Sequence, residues 1–147
     1  MRSIFFAAPL ALVVAACSQG TTEKTEAPAD APAPVSLGGV DLNQPLRALG
    51  TEPFWSVDIT KDAMVYTGVD GQAQRADDPR PVVQGTTAVY TGATDDGTAM
   101  VVTLIATECS DGMSDRIYPL TAKVELGEVS LNGCAASPAY LNSQPAP

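Results

Sequence analysis

The chain has 147 residues, of which 17 are acidic and 8 basic, so its formal net charge at neutral pH is −9. This charge argues against nucleic acid as a partner, because proteins contact phosphates through Lys and Arg. A cationic protein or envelope component would be favoured on encounter, but an acidic composition more often serves only solubility. The chain contains three cysteines and no histidine, so Cys109 and Cys134 cannot complete a zinc site of the usual kind.

The N-terminus has the pattern of an export signal. Arg2 supplies a positive start, and residues 4–16 form an apolar run that is too short to span a bilayer. The ending Val-Ala-Ala-Cys resembles the lipobox of bacterial lipoproteins, which implies that residues 1–16 are a signal peptide and that Cys17 is acylated. An ordinary cleaved signal with an unrelated cysteine is the alternative. Ser18 after the cysteine implies, in that class, the periplasmic face of the outer membrane, where several acyl chains give a stable anchor.

The composition then divides the rest of the chain into three parts. Residues 17–40 are rich in Thr, Ala, Pro, Glu and Gly and contain no aromatic residue, which predicts a disordered linker. As a flexible coil this linker would reach roughly 25–30 Å. We expect one folded β-domain at residues 41–136 and a disordered tail at residues 137–147.

The strand signals in the domain come from alternating apolar and polar residues. Residues 54–60 (FWSVDIT) place Trp55, Val57 and Ile59 on one face, and residues 120–126 (LTAKVEL) alternate in the same way. Further strands are predicted at residues 63–67, 72–75, 87–91, 98–107 and 129–131. Asp-Gly pairs predict hairpin turns between several of them. The fold class is therefore all-β, a small antiparallel barrel or strongly coiled sheet.

The cysteines predict one disulfide. If Cys17 is acylated, Cys109 and Cys134 remain as the only pair, and a pair in an exported chain favours a bridge. Two free thiols are the alternative. Joining residues 25 positions apart would stabilise the fold by roughly 3 kcal/mol. The bridge would also hold the polar loop between the two cysteines against the sheet.

Two separated motifs carry a family resemblance. Residues 50–55 (GTEPFW) and residues 109–119 (CSDGMSDRIYP), followed by Gly133 and Cys134, resemble a family of small bacterial envelope lipoproteins. That family shares G-x-E-P-F-W and C-x-D-G-M-S-[DG]-x-x-Y-P, with G-C-C near the end. It has no established activity, so the resemblance implies location and fold more than function. Ala135 stands where many relatives carry another cysteine, which argues against any role for a cysteine pair there.

The first motif places two aromatic residues side by side in a strand. Their side chains point to opposite faces, so we expect Trp55 to anchor the core and Phe54 to pack under a neighbouring loop. A ligand-binding aromatic is the alternative. The carboxylate of Glu52 needs solvent or a cation, and Arg116 and Arg47 are the candidates. Our hypothesis is an ion pair between Glu52 and Arg116 that ties the two motifs together.

The second motif is rich in oxygen donors. We interpret residues 108–116 as a turn in which Asp and Ser side chains bond their own backbone while Tyr118 packs inward. A calcium loop is the alternative, but the spacing does not match an EF-hand. Ser114 as a nucleophile would lack a histidine to activate it.

The predicted binding surface combines both motifs, and no catalytic residue, metal ligand or cofactor motif is assigned. The surface consists of Glu52, Phe54, Trp55, Asp111, Met113, Ser114, Asp115, Arg116 and Tyr118. The predicted function is a lipid-anchored periplasmic module that binds a partner or supports the envelope without catalysis. The alternatives are an inhibitor of a basic host lysozyme-type enzyme, by fold-level analogy, and a carboxylate-dependent hydrolase.

Overall fold

A computed structural model describes residues 35–144, which form an antiparallel β-domain with one short helix. The first strands are β1 (Ser36–Leu37), β2 (Val40–Asp41), β3 (Leu46–Thr51), β4 (Phe54–Ile59), β5 (Ala63–Thr67), β6 (Ala73–Asp77) and β7 (Val82–Gln84). They are followed by β8 (Thr87–Ala93), β9 (Ala99–Ile105), β10 (Cys109–Ser110), β11 (Ile117–Tyr118), β12 (Leu120–Leu126), β13 (Val129–Ala136) and the helix α1 (Pro138–Ser143).

Nine of these strands form one sheet in the order β6-β5-β4-β3-β13-β12-β9-β8-β7. The sheet coils into a half-barrel, and its β6 end approaches β8 through a bridge between Ala76 and Thr94. A hydrogen bond of 3.1 Å from the Asp95 N–H to the Arg75 carbonyl lies beside this bridge. Gly92 allows the close approach, because a Cβ on it would lie 2.9 Å from the Cβ of Ala76. The predicted all-β class, a coiled antiparallel sheet, is confirmed.

The strands predicted from alternation have the predicted inner face. In β4, Trp55, Val57 and Ile59 are buried, and in β12 the buried positions include Ala122 and Val124. Their neighbours on the opposite face are more accessible, as a half-buried strand requires. The main hydrophobic core fills the face around which the sheet coils.

A smaller apolar cluster lies on the opposite face of the sheet, which we call the outer face. Tyr118, Cys134 and Ala136 are buried there, and Leu49 and Leu141 pack against them. Cys134 and Leu49 are paired residues of β13 and β3, so this cluster lies over the middle of the sheet. The loop that contains β10 and β11 and the helix α1 cover it.

The folded part extends beyond both predicted boundaries. We expected a linker up to residue 40, but β1 and β2 form a hairpin at residues 36–41, and Leu37 is only 1 % exposed. We expected a disordered tail from residue 137, but the helix α1 begins at Pro138. Ser137 caps this helix by accepting a hydrogen bond from the Tyr140 N–H (3.1 Å), and Pro138 suits its first turn.

Four predicted features lie outside the described residues: the signal peptide at residues 1–16, the acylated Cys17, the linker up to residue 34 and the end of the tail at residues 145–147. They remain predictions. Within residues 35–144 no helix is long and apolar enough to cross a membrane.

Candidate functional site

The first motif forms the end of the β3–β4 hairpin and is built around a tryptophan that covers two glycines. Trp55 is the cross-strand partner of Gly50 and is 4 % exposed. A Cβ on Gly50 would collide with the indole nitrogen of Trp55, and one on Gly133 would lie 2.9 Å from the ring carbon Cζ2. Both glycines are therefore required by close packing. Trp55 anchors the core, as expected, and does not belong to an accessible surface.

The neighbours of Trp55 in this motif point outwards. Phe54 is 59 % exposed, so it does not pack under a loop as we had expected. Glu52 is also exposed. It forms no ion pair or side-chain hydrogen bond within residues 35–144.

The second motif is organised by the side chain of Asp111. Its Oδ1 accepts hydrogen bonds from the N–H groups of Met113 (3.0 Å) and Ser114 (2.8 Å). Its Oδ2 accepts from the hydroxyls of Ser114 (2.8 Å) and Tyr118 (2.9 Å). The loop is thus the self-bonded turn that we preferred over a calcium site.

These hydrogen bonds shift the pKa values of Asp111 and Tyr118. Burial alone would raise the pKa of Asp111, but the two backbone N–H groups and the two hydroxyls outweigh it and lower the pKa to about 2. Burial, followed by the hydrogen bond to the carboxylate of Asp111, raises the pKa of Tyr118. Tyr118 therefore stays protonated and donates, and Asp111 stays ionised and accepts. Tyr118 is 2 % exposed, so it supports the loop from beneath and offers no binding surface.

Two links hold residues 109–118, which we call the stapled loop, on the outer face of the sheet. The disulfide between Cys109 and Cys134 is present, with the two Cα atoms 5.5 Å apart, which confirms the predicted bridge. The hydroxyl of Thr51 donates to the Asp111 carbonyl at 3.1 Å. The Tyr140 hydroxyl of α1 also donates to the Ile117 carbonyl at 2.7 Å, so the helix buttresses the far side of the loop.

The two motifs therefore do meet, but through a contact that the sequence did not reveal. The predicted pair of Glu52 and Arg116 is not among the ion pairs of the described residues, so that hypothesis is wrong. Arg116 lies beside Arg47 and the helix in a different groove, and it interacts with the hydroxyl of Tyr118. Arg47 pairs with its cross-strand neighbour Asp58 through two hydrogen bonds of 2.6 and 2.8 Å.

A groove of about 440 Å³ lies where the motifs meet, and we call it the motif groove. One wall is the end of the β3–β4 hairpin, the other is the stapled loop, and β13 contributes Asn132 and Gly133. Its lining contains two carboxylates and no Lys or Arg. The lining residues are Leu49, Gly50, Thr51, Glu52, Cys109, Ser110, Asp111, Gly112, Met113, Thr121, Asn132 and Gly133.

The predicted surface residues thus separate into three groups. Glu52 and Met113 line the motif groove with accessible side chains, and Met113 is 67 % exposed. Asp111 lines it but is engaged by the loop, and Ser114 is partly buried through its bond to Asp111. The remaining five residues lie outside the groove lining: Phe54 and Asp115 are exposed, Arg116 is partly buried, and Trp55 and Tyr118 are buried.

A second groove, of about 560 Å³, is larger and more apolar but contains none of the predicted site residues. It lies between the β1–β2 hairpin, Pro119 and the start of α1. No lining residue in it is basic, and Asp41 is its one acidic residue. Of these two grooves, only the motif groove is therefore lined by residues of both motifs.

Nothing in the described part of the chain forms a group of three or more His, Cys, Asp or Glu side chains suited to a metal ion. Comparison of the chain with protein families, curated proteins and solved structures found no match. The family resemblance of the two motifs therefore remains a prediction from the sequence.

Proposed function

We propose that this protein is a lipid-anchored component of the bacterial envelope whose β-domain is a non-enzymatic binding module. The N-terminal pattern that ends at Cys17 supports the anchor, and a disulfide-bonded domain suits an oxidising compartment. The motif groove supports the binding role, because two motifs about 60 residues apart in sequence join there through the Thr51–Asp111 hydrogen bond. That convergence is the observation on which this proposal depends.

The carboxylates of the site favour binding over hydrolysis. A general acid needs a raised pKa near neutrality, whereas the pKa of Asp111 is lowered to about 2. Its carboxylate oxygens are already occupied by hydrogen bonds within the loop. Asp115 does not line the groove, so Glu52 has no second carboxylate poised for acid–base chemistry there.

Two measurements in cells test this function. An alkyne-tagged fatty acid supplied to growing cells should label the wild-type protein and not the Cys17→Ser variant. A photo-reactive amino acid at the exposed Met113 should cross-link a discrete partner, and the yield of the adduct should fall when Glu52→Gln is added. The same amino acid at Val69, which is 72 % exposed in the β5–β6 turn, should give no such adduct. Equal cross-linking from both positions, or none from Met113, would contradict the binding role.

Inhibition of a basic lysozyme is a second candidate, favoured by the acidic groove without a basic lining residue. In that case the purified protein should slow a c-type lysozyme in turbidity assays, and added salt should weaken the effect. Unchanged lysozyme activity at micromolar concentrations of this protein would remove the candidate.

A further inference from the structure

The accessible negative charge of the motif groove is concentrated at its rim. Glu52 is exposed and lies against no cation within residues 35–144. Asp111, deeper in the stapled loop, adds a second negative charge whose hydrogen-bonding capacity is already used. Since the lining contains no Lys or Arg, the local potential is negative and attracts a cation.

Two exposed apolar side chains lie near this charge. Met113 lines the groove together with Glu52, and Phe54 lies outside the groove lining, two residues after Glu52 at the start of β4. Phe54 and Met113 are 59 % and 67 % exposed, so both side chains are accessible to a partner. Methionine and aromatic side chains are also the groups that protein interfaces favour.

A carboxylate near apolar groups matches one kind of side chain in particular. Lys and Arg carry an apolar stem that packs on such groups and a charged end that pairs with the carboxylate. Arg fits better than Lys, because its planar guanidinium can bind a carboxylate through two hydrogen bonds and stack on an aromatic ring.

We propose that the motif groove binds an arginine side chain of a basic protein partner, with the guanidinium on Glu52 and the stem against Met113 in the groove and Phe54 beyond its lining. This inference rests on the function proposed above, since it names the chemistry of the partner at the same groove. A free metal cation is a poorer occupant, because the described residues contain no group of three His, Cys, Asp or Glu side chains that could hold one.

Fluorescence anisotropy of a fluorescein-labelled tetra-arginine peptide tests the proposal on the full chain purified in detergent. We expect Glu52→Gln to weaken binding about fivefold, in line with a partly screened charge pair. Phe54→Ala should weaken it about threefold through the lost stacking. The matched controls are Glu128→Gln and Val69→Ala, which change exposed residues outside the groove and should leave the affinity within about twofold.

The peptide itself has a neutral control. A tetra-citrulline peptide keeps the shape of arginine and removes its charge, so it should bind far more weakly. Equal binding of the two peptides would overturn the proposal. An equal effect of Glu52→Gln and Glu128→Gln would also overturn it, because the attraction would then be that of net charge alone.

The cross-linking experiment separates this inference from the function on which it depends. If Met113 cross-links its partner in cells while the tetra-arginine peptide does not bind, the arginine assignment fails and the binding role stands. If neither is observed, both fail. Circular dichroism of the variants should match the wild type, since Glu52 and Phe54 are exposed.

Discussion

Replacing Asp111 by Asn should remove an acid-sensitive part of the stability of this domain. The carboxylate accepts four hydrogen bonds from its own loop, two of them from backbone N–H groups. These bonds lower its pKa from the ordinary value of 3.8 to about 2. Because the folded state holds the proton less tightly than the unfolded state, the ionised carboxylate stabilises the fold. That contribution is complete above about pH 4 and is lost as the pH falls towards 2.

The size of this contribution follows from the pKa difference. One pKa unit corresponds to about 1.4 kcal/mol, and the partial accessibility of the carboxylate to solvent reduces the total to about 1–2 kcal/mol. Asn can keep the bonds from the backbone N–H groups through its amide oxygen, but it carries no charge. We therefore expect Asp111→Asn to lower the free energy of unfolding at pH 7 by about 1–2 kcal/mol.

Urea unfolding at pH 7 and pH 2.5 measures this effect, with tryptophan fluorescence as the signal. Because pH 2.5 still lies above the folded-state pKa of about 2, the wild type should lose about 1 kcal/mol more than Asp111→Asn between the two pH values. Asp115→Asn is the matched control, since Asp115 is exposed on the same loop, and it should behave as the wild type. Identical pH dependence in the wild type and Asp111→Asn would refute the role assigned to this carboxylate.

Three further predictions concern the packing around the motif groove. Gly50→Ala should destabilise the fold by about 1–3 kcal/mol in thermal unfolding, because its Cβ meets the indole of Trp55, and the cost should shrink in a Trp55→Phe background; an equal cost in both backgrounds would contradict this packing. Replacing Cys109 and Cys134 by serine should cost roughly 3 kcal/mol in urea unfolding, whereas no loss would mean that the bridge does not constrain the chain. Tyr140→Phe removes the donor to the Ile117 carbonyl and should cost about 1 kcal/mol in the same assay, while an unchanged midpoint would show that α1 does not support the loop.

The strand β4, with one buried face, could be predicted from the sequence, and β3, with apolar residues on both faces, could not. Trp55, Val57 and Ile59 alternate with polar residues, so β4 was evident. In β3, Leu49 is covered by the stapled loop on the outer face while Leu46 and Ala48 are buried on the inner face. Apolar residues on both faces remove the alternation, and β3 was missed for that reason.

The ends of the domain were missed although local signals for them exist. Ser137 followed by Pro138 is a helix-start signal, but a helix of six residues leaves too short a periodic pattern to stand out. Gly38 and Gly39 form the turn of the β1–β2 hairpin, both with positive φ. In composition, these two glycines resemble the Gly-containing linker that was predicted for this part of the chain. The structure assigns them to the domain, because the neighbouring Leu37 is buried.

The two motifs that meet at the site could be predicted from the sequence, but its contacts and most of its lining could not: of the nine predicted surface residues, only Glu52, Asp111 and Met113 line the groove. The sequence placed both motifs in one surface and both cysteines in one bridge. The choice of Arg116 as the partner of Glu52 was wrong, because sequence cannot tell whether any cation lies beside an exposed carboxylate. The hydroxyl of Thr51 and the carbonyl of Asp111 make the link instead, and neither group has a signature of its own.

The most direct test of the motif groove is a nuclear magnetic resonance titration of the full chain with the tetra-arginine peptide. The amide signals of residues 50–54 and 109–113, which belong to different motifs, should shift along one binding curve. Signals around Val69 and Glu128 should stay unchanged. Shifts confined to one motif, or spread evenly over the acidic surface, would contradict a single groove built from both.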